Sequence, residues 1–168
     1  LREAKGPCYF MCGDAERPAV EGVIRGPSSK ERLRGFMDAC AEAGIKNGES
    51  LVRMATESSP EAGAEMMHEL IDELGAPPHA FMCSALLLLE GALQQIRAQT
   101  GKIDKKILIG TFDDHTMLDF LPNRVLSIRQ NEDALARRVF ERLIEPLGSS
   151  KRSSAVDTVP TELICRNL

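Results

Sequence analysis

The sequence predicts an α/β fold: an open parallel sheet with helices on both faces. Short apolar segments alternate with helical segments along the chain, and strands joined by helices usually pair in parallel. The apolar segments are nearly continuous, as in PCYFMC at 7–12 and ILIGTF at 107–112, which is typical of strands buried on both faces. At 168 residues, the chain has the length of one domain.

The first part of the chain predicts a strand, a helix and a second strand. Residues 7–12 lie between two glycines and should form a buried strand, and the charged, glycine- and proline-rich residues 13–27 should form a loop. The serine pair at 28–29 can cap the next helix, because serine accepts hydrogen bonds from free backbone N–H groups. Gly44 should end that helix, and residues 50–56 predict the second strand.

The middle of the chain predicts a second helix, a third strand and a third helix. Pro60 stands at the first position of a helix that continues to Leu74. Residues 80–84 predict the third strand, and residues 86–99 predict the helix after it. That helix opens with LLLLEGAL, which is apolar enough to be buried against the sheet or a partner subunit.

The last part of the chain predicts three more strands and one helix. Residues 106–112 and 125–128 should form the fourth and fifth strands. Asn131 or Asp133 then caps the amphipathic helix DALARRVFERLIEPL. Residues 161–165 predict a final strand at the edge of the sheet.

Polar side chains follow the fourth and fifth predicted strands at the points where these strands end. Asp113 and Asp114 follow one strand, and Gln130 follows the next. Open α/β sheets bind ligands in the crevice outside the carboxyl ends of their strands, so we expect these side chains to converge. Two carboxylates and an amide suit a polyhydroxylated ligand. GxSxG, GxxxxGK[ST] and CxxC motifs are absent, which favours small-molecule sensing over catalysis.

Composition and charge argue against several further classes of function. A net charge of −4 gives no electrostatic case for DNA binding by these residues. No apolar run approaches the roughly 20 residues that span a bilayer. Cys8 and Cys12 have the wrong spacing for a zinc knuckle and no matching second pair. We expect no metal site and no cofactor. Five cysteines, mostly inside apolar runs, predict free buried thiols in a reducing cytoplasm.

Seven short motifs, taken in order, resemble the effector-binding part of lactose/galactose-repressor-type transcriptional regulators. They are RLRGF at 32–36, GI at 44–45, SSPEAG at 58–63, EGA at 90–92, GTFDD at 110–114, IRQ at 128–130 and LICR at 163–166. The Thr-Phe pair before the acidic turn, and LDFL at 118–121 after it, are most similar to the fructose and sucrose repressor branch.

The resemblance implies that residues 1–168 are the C-terminal effector-binding subdomain of a type I periplasmic-binding-protein-like fold. It implies that the helix at 131–148 crosses to an N-terminal subdomain absent from this chain, and that the DNA-binding headpiece is also absent. The implied function is that of a sugar-responsive repressor: a sugar or sugar phosphate binds between two subdomains and changes the operator affinity of a homodimer. No chemistry is implied, so we expect no enzyme.

The resemblance also assigns ligand-binding residues. Arg32 matches an arginine that reaches into the cleft between subdomains, although Arg25 in VIRGP is a competing choice. Asp113 matches an aspartate that accepts hydrogen bonds from sugar hydroxyls. Asp114 is a second candidate because the fructose and sucrose branch tends to shift this acid by one residue, and both acids can contribute. Gln130 matches a glutamine at the cleft floor.

Two serines are further candidates for this site. Ser58 stands where several relatives carry an aromatic ring, which counts against a flat purine ligand. Ser84 stands where relatives place an asparagine or aspartate before the buried helix. The same resemblance places a dimer contact near the helix that opens at Leu86 and near residues 119–125.

Two alternatives remain open at this stage. A periplasmic sugar-binding protein shares the two-lobed fold and would act as a monomer. A flavodoxin-like or phosphosugar enzyme could hold Mg²⁺ on Asp113 and Asp114, since adjacent acids at a strand end bind this ion in such folds.

Overall fold

A computed structural model describes residues 6–13, 28–144 and 158–167 of the chain. In these residues the strands are β1 (Cys8–Gly13), β2 (Val52–Ala55), β3 (Ala80–Cys83), β4 (Leu108–Phe112), β5 (Val125–Arg129) and β6 (Glu162–Arg166). They form one sheet in the order β2-β1-β3-β4-β5-β6. The helices are α1 (Ser28–Glu42), α2 (Pro60–Leu74), α3 (Leu86–Thr100) and α4 (Glu132–Ile144).

The first five strands run parallel to their neighbours, which confirms the predicted α/β class. β6 lies at the predicted edge but pairs antiparallel with β5, so the sheet is not wholly parallel. Glu162 at the start of β6 faces Arg129 at the end of β5. The connection through α4 therefore begins and ends at the same edge of the sheet, which fixes the antiparallel direction.

The strand order places helices on both faces of the sheet. The chain passes through α1 in one direction along the sheet, from β1 to β2, and through α2 and α3 in the other direction. Since such crossovers are right-handed, opposite directions put the helices on opposite faces. α1 packs on β1, where the rings of Phe36 and Phe10 stack with their centroids 4.9 Å apart. α2 and α3 pack against each other and against β1 on the other face.

Two glycines allow α2 and α3 to approach closely. A Cβ atom on Gly91 would lie 1.7 Å from the carbonyl oxygen of Pro60, and one on Gly63 would lie 2.2 Å from that of Leu88. Both helices start at the carboxyl edge, which we define as the edge where the five parallel strands end. Ser59 caps α2 by accepting a hydrogen bond of 3.1 Å from the backbone N–H of Ala62.

The predicted element boundaries need several corrections. Residues Gly48–Leu51 form a 3₁₀ helix, so the strand predicted at 50–56 starts only at Val52. A second 3₁₀ helix, Thr116–Phe120, follows the acidic turn. Gly13 belongs to β1, and the rest of the loop predicted at 13–27 lies outside the described residues. The predicted end of the last helix, beyond Ile144, lies outside them too.

No residue of α4 is buried. Its exposed apolar side chains are Leu135, Val139, Phe140, Leu143 and Ile144. Amphipathic helices bury such a stripe against another element. Within the described residues, nothing covers the stripe of α4.

Candidate functional site

The carboxyl edge gathers most of the predicted site residues. Ser58, Ser84, Asp113 and Gln130 follow the ends of β2, β3, β4 and β5 respectively. The direction of the crossovers reverses between β1 and β3, and such a reversal opens a crevice at the carboxyl edge. The predicted convergence on one edge of a parallel sheet is therefore what the structure shows.

Arg32 projects from the first turns of α1 and is half-buried at this edge. Its Nη1 donates a hydrogen bond of 2.5 Å to the backbone oxygen of Ser84, which follows β3. Its Cζ lies 4.7 Å from the centroid of the Phe112 ring, at the end of β4. Arg32 thus bridges β3 and β4 beside Asp113. Arg25, the competing arginine, lies outside the described residues.

Asp113 and Gln130 are paired directly. The amide Nε2 of Gln130 donates a hydrogen bond of 2.6 Å to Oδ1 of Asp113. Asp113 has a φ of 68°, in the left-handed region that non-glycine residues rarely adopt. Strain of this kind clusters at ligand-binding turns, where the surrounding structure maintains it. Oδ2 of Asp113 makes no hydrogen bond with the described residues.

Asp114 has a different environment from its neighbour. Its side chain is only 7% exposed, and Oδ1 accepts hydrogen bonds from Ser127 Oγ at 2.5 Å and from Arg166 Nη1 at 2.7 Å. Oδ2 accepts from Arg129 Nη2 at 2.8 Å. Burial acts to raise the pKa of Asp114, but the hydrogen bonds from Arg166, Ser127 and Arg129 outweigh it and hold the pKa well below the usual range.

The Asp114 cluster, defined as Asp114, Ser127, Arg129 and Arg166, connects three parts of the sheet. Arg166 of β6 also donates to Asp119 Oδ1 at 2.7 Å, and Arg129 lies 3.5 Å from Oε2 of Glu162. The cluster joins the turn after β4 to β5, through Ser127 and Arg129, and to the last residue of β6, Arg166. Asp114 therefore links the turn that carries Asp113 to the two strands at this side of the sheet.

The two candidate serines, Ser84 and Ser58, lie against the end of β1. The Oγ of buried Ser84 accepts a hydrogen bond of 3.3 Å from the backbone N–H of Gly13. A Cβ on Gly13 would lie 2.5 Å from Ser58 Oγ and 2.4 Å from the carbonyl oxygen of Glu57, so the end of β1 fits tightly against this loop. Ser58 is half-buried at the rim.

Sequence reasoning missed Phe112, Ser127, Arg129 and Arg166 as parts of the site. The GTFDD and IRQ motifs contain Phe112 and Arg129, so an aromatic and a cation beside the predicted acids were a usable signal. Arg166 lies 52 residues from Asp114 along the chain, and no local pattern links the two.

Two hollows adjoin these residues. A polar hollow of about 560 Å³ lies where the chain leaves β5 and returns to β6, and Asp114, Arg129 and Gln130 are among its lining residues. An apolar groove of about 550 Å³ runs beside α1 and reaches Arg32 and Phe112. In the described part of the chain, no group of three or more His, Cys, Asp or Glu side chains could hold a metal ion.

The exposure of apolar and cysteine side chains differs along the chain. Phe120 is 87% exposed, whereas Leu88 and Leu89 in the apolar start of α3 are buried. The side chains of Cys12, Cys40 and Cys83 are buried, as the sequence predicts, but Cys165 is exposed. None of the helices in the described ranges combines the length and apolar character needed to span a bilayer.

Comparisons with known proteins agree with this architecture. The family described as periplasmic binding protein-like domain matches residues 13–167. The sucrose operon repressor of Klebsiella pneumoniae is 35% identical over 122 residues, which are 73% of this chain and 36% of that repressor. The chain thus spans well under half the length of this curated relative.

Solved structures show the same fold. The Cra transcriptional dual regulator from Pseudomonas putida, in complex with fructose 1-phosphate, matches with a TM-score of 0.74 and 24% identity, over 95% of this chain and 54% of that one. A periplasmic ribose ABC transporter protein from Conexibacter woesei matches with a TM-score of 0.69 and 15% identity, over 95% and 50% of the two chains. At such identities, both similarities show the fold alone.

Proposed function

We propose that this chain is the part of a sugar-responsive transcriptional repressor that binds a small-molecule effector. The premise is that the chain belongs to the periplasmic binding protein-like domain family, near the fructose and sucrose branch of the lactose/galactose-repressor-type regulators. One observation carries the proposal. Arg32, Asp113 and Gln130 lie at the carboxyl edge of the parallel sheet, where Arg32 contacts the ring of Phe112 and Gln130 donates to Asp113. Together they offer guanidinium donors, a carboxylate acceptor and an amide, the groups that bind hydroxyls and phosphate.

In this proposal, Arg32, Asp113 and Gln130 contact the effector, and Ser58 lies at the rim. Asp113 has an oxygen that makes no hydrogen bond with the described residues, and its bond to Gln130 can be exchanged for one to a ligand hydroxyl. In this proposal Ser84 supports Arg32 through its backbone oxygen and does not contact the effector. Asp114 does not contact the effector either, because its oxygens accept hydrogen bonds from Arg129 and Arg166.

The effector would bind between this chain and an N-terminal subdomain that lies outside it. α4 fits this arrangement, because its uncovered apolar stripe would pack on that subdomain. Effector binding would change the orientation of the two subdomains, and through it the operator affinity of a DNA-binding headpiece that also lies outside this chain. The effector can shift this equilibrium only by its difference in affinity for the two orientations.

The repressor would act as a cytoplasmic homodimer. The exposed Phe120, next to the buried Leu118, supports a dimer contact in the segment predicted from sequence. The start of α3 faces the core at Leu88 and Leu89 but exposes Leu87, so Leu87 is the residue of the leucine run that could join that contact.

The alternatives receive less support. The magnesium-dependent phosphosugar enzyme requires both acids of the turn, yet the oxygens of Asp114 accept hydrogen bonds from Arg129 and Arg166. The periplasmic sugar-binding protein is supported by fold similarity alone.

A thermal-shift screen tests the proposed function. The polypeptide that contains this chain and its N-terminal subdomain is heated with fructose 1-phosphate, fructose, sucrose and inorganic phosphate. We expect one sugar or sugar phosphate to raise the melting temperature in proportion to occupancy, because a ligand that binds only the folded state stabilises it. The Arg32→Gln variant should lose this shift, whereas Arg34→Gln, on an exposed part of α1, should retain it. No stabilisation by any of these sugars, or an equal shift in Arg32→Gln, would contradict the proposal.

A further inference from the structure

Two contacts from neighbouring strands fix the guanidinium group of Arg32. The backbone oxygen of Ser84 accepts a hydrogen bond from Nη1, and the ring of Phe112 lies 4.7 Å from Cζ. The backbone at Ser84 is itself anchored, because its N–H donates to Met11 at 2.8 Å and its hydroxyl accepts from Gly13. Nε and Nη2 of Arg32 make no hydrogen bond with the residues that the structure describes.

We infer that Phe112 is a positioning residue: it holds Arg32 so that the Nε and Nη2 donors of Arg32 stay available for the effector. The role in effector binding rests on the proposed function, whereas the contact between Phe112 and Arg32 is a property of this chain alone. A guanidinium presents its donors in a planar fork, so fixing Nη1 and the position of Cζ restricts where the remaining donors can lie. A ligand with two adjacent acceptor oxygens, such as a phosphate or a diol, matches that remaining edge.

The ring of Phe112 has a property that an aliphatic side chain lacks. Its face carries negative electrostatic potential and attracts a cation, whereas leucine would fill similar space without that attraction. An arginine that is ordered before binding loses less side-chain entropy when the ligand arrives. Phe112 should therefore increase effector affinity without touching the effector.

The mobility of Arg32 in the ligand-free 168-residue chain tests this inference. We would measure the NMR order parameter of the Arg32 side-chain Nε–H group in the wild type, Phe112→Leu and Phe112→Tyr. The expected result is a rigid Nε–H in the wild type, an order parameter below about 0.6 in Phe112→Leu, and recovery in Phe112→Tyr, which keeps the ring. Arg53, which lies 5.5 Å from the Tyr9 ring, should be unchanged in all three proteins and serves as the internal control.

Failure of this inference is distinguishable from failure of the proposed function. An equally rigid Arg32 in Phe112→Leu would overturn the positioning role, and Phe112→Met provides the same comparison if the leucine variant does not fold. Titration of fructose 1-phosphate into the polypeptide with both subdomains then tests the purpose: Phe112→Leu should weaken binding about 5-fold and Phe112→Tyr should not. Unchanged affinity with a mobile Arg32 would show that the ordering of Arg32 by Phe112 does not increase effector affinity. Absence of wild-type binding would count against the proposed effector, while the order parameter still decides the positioning role.

Discussion

Replacing Asp114 by asparagine should destabilise the fold substantially, although the substitution is nearly isosteric. The side chains of Asp114 and Arg166 are 7% and 13% exposed, so their ion pair is largely shielded from water. Hydrogen bonds to charged groups contribute about 1.5–3 kcal/mol each, and removal of Asp114 leaves Arg166 with only the exposed Asp119 as its acidic partner. The pair with Arg129, which is 51% exposed, adds about 1 kcal/mol or less. We expect Asp114→Asn to lower the unfolding free energy by about 3 kcal/mol at neutral pH.

Urea unfolding followed by far-ultraviolet circular dichroism measures this loss. For a chain of this length it corresponds to a decrease of about 6–12 °C in melting temperature. Arg129→Gln is the matched control, since it removes only the exposed partner and should cost about 1 kcal/mol or less. If Asp114→Asn cost no more than Arg129→Gln, Asp114 would not be the centre of its cluster, and the reasoning would be wrong.

The loss should also depend on pH with a definite sign. The pKa of Asp114 is lower in the folded protein than in the unfolded chain, because of the hydrogen bonds from Arg166, Ser127 and Arg129. Its contribution is therefore complete above the unfolded carboxyl pKa, about 3.9, and is lost as pH falls toward the folded value. The stability gap between wild type and Asp114→Asn should be constant from pH 5 to 8 and should narrow below about pH 4. A gap that widened on acidification would refute the assignment.

Four further substitutions test the packing and the proposed assembly. Gly91→Ala should lower the unfolding free energy by about 3 kcal/mol, because the new Cβ would overlap the Pro60 carbonyl. Gly35→Ala has open space around it and should raise the unfolding free energy by about 0.5–1 kcal/mol. Denaturant unfolding of both variants measures the difference. Phe140→Ser on unburied α4 should change the stability of the 168-residue chain by less than about 0.5 kcal/mol, and a larger loss in thermal unfolding would mean that this chain covers α4 itself. Phe120→Asp should weaken dimerisation of the longer protein at least about 10-fold in sedimentation experiments, since it places a charge in the proposed contact.

Local sequence patterns were sufficient for most of the fold. The apolar run at 107–112 predicts a strand of a parallel sheet, because such strands have few polar positions, and it forms β4, whose residues alternate between buried and half-buried. The convergence of Asp113 and Gln130 followed from the rule that parallel strands end at one edge. The direction of β6 could not be predicted in the same way, because it depends on where the connection through α4 returns to the sheet.

The roles of the two adjacent acids could not be separated from sequence. Asp113 and Asp114 are chemically identical and neighbours, so composition and spacing treat them alike. The backbone of Asp113, with its φ of 68°, directs one carboxylate to Gln130 and the next to Ser127, Arg129 and Arg166. This division depends on the pairing of β5 with β6, a contact between distant parts of the chain.

Calorimetric titration of effector into the protein with both subdomains tests the central claim most directly, with fructose 1-phosphate as the first probe. Wild type, Arg32→Gln, Asp113→Asn and Gln130→Ala would be compared at matched folded fractions. We expect Arg32→Gln and Asp113→Asn each to weaken binding by about 10- to 100-fold, since each removes a charge-assisted hydrogen bond. Gln130→Ala should weaken it less. Wild-type affinity in all three variants, with the effector still bound, would place the binding site elsewhere.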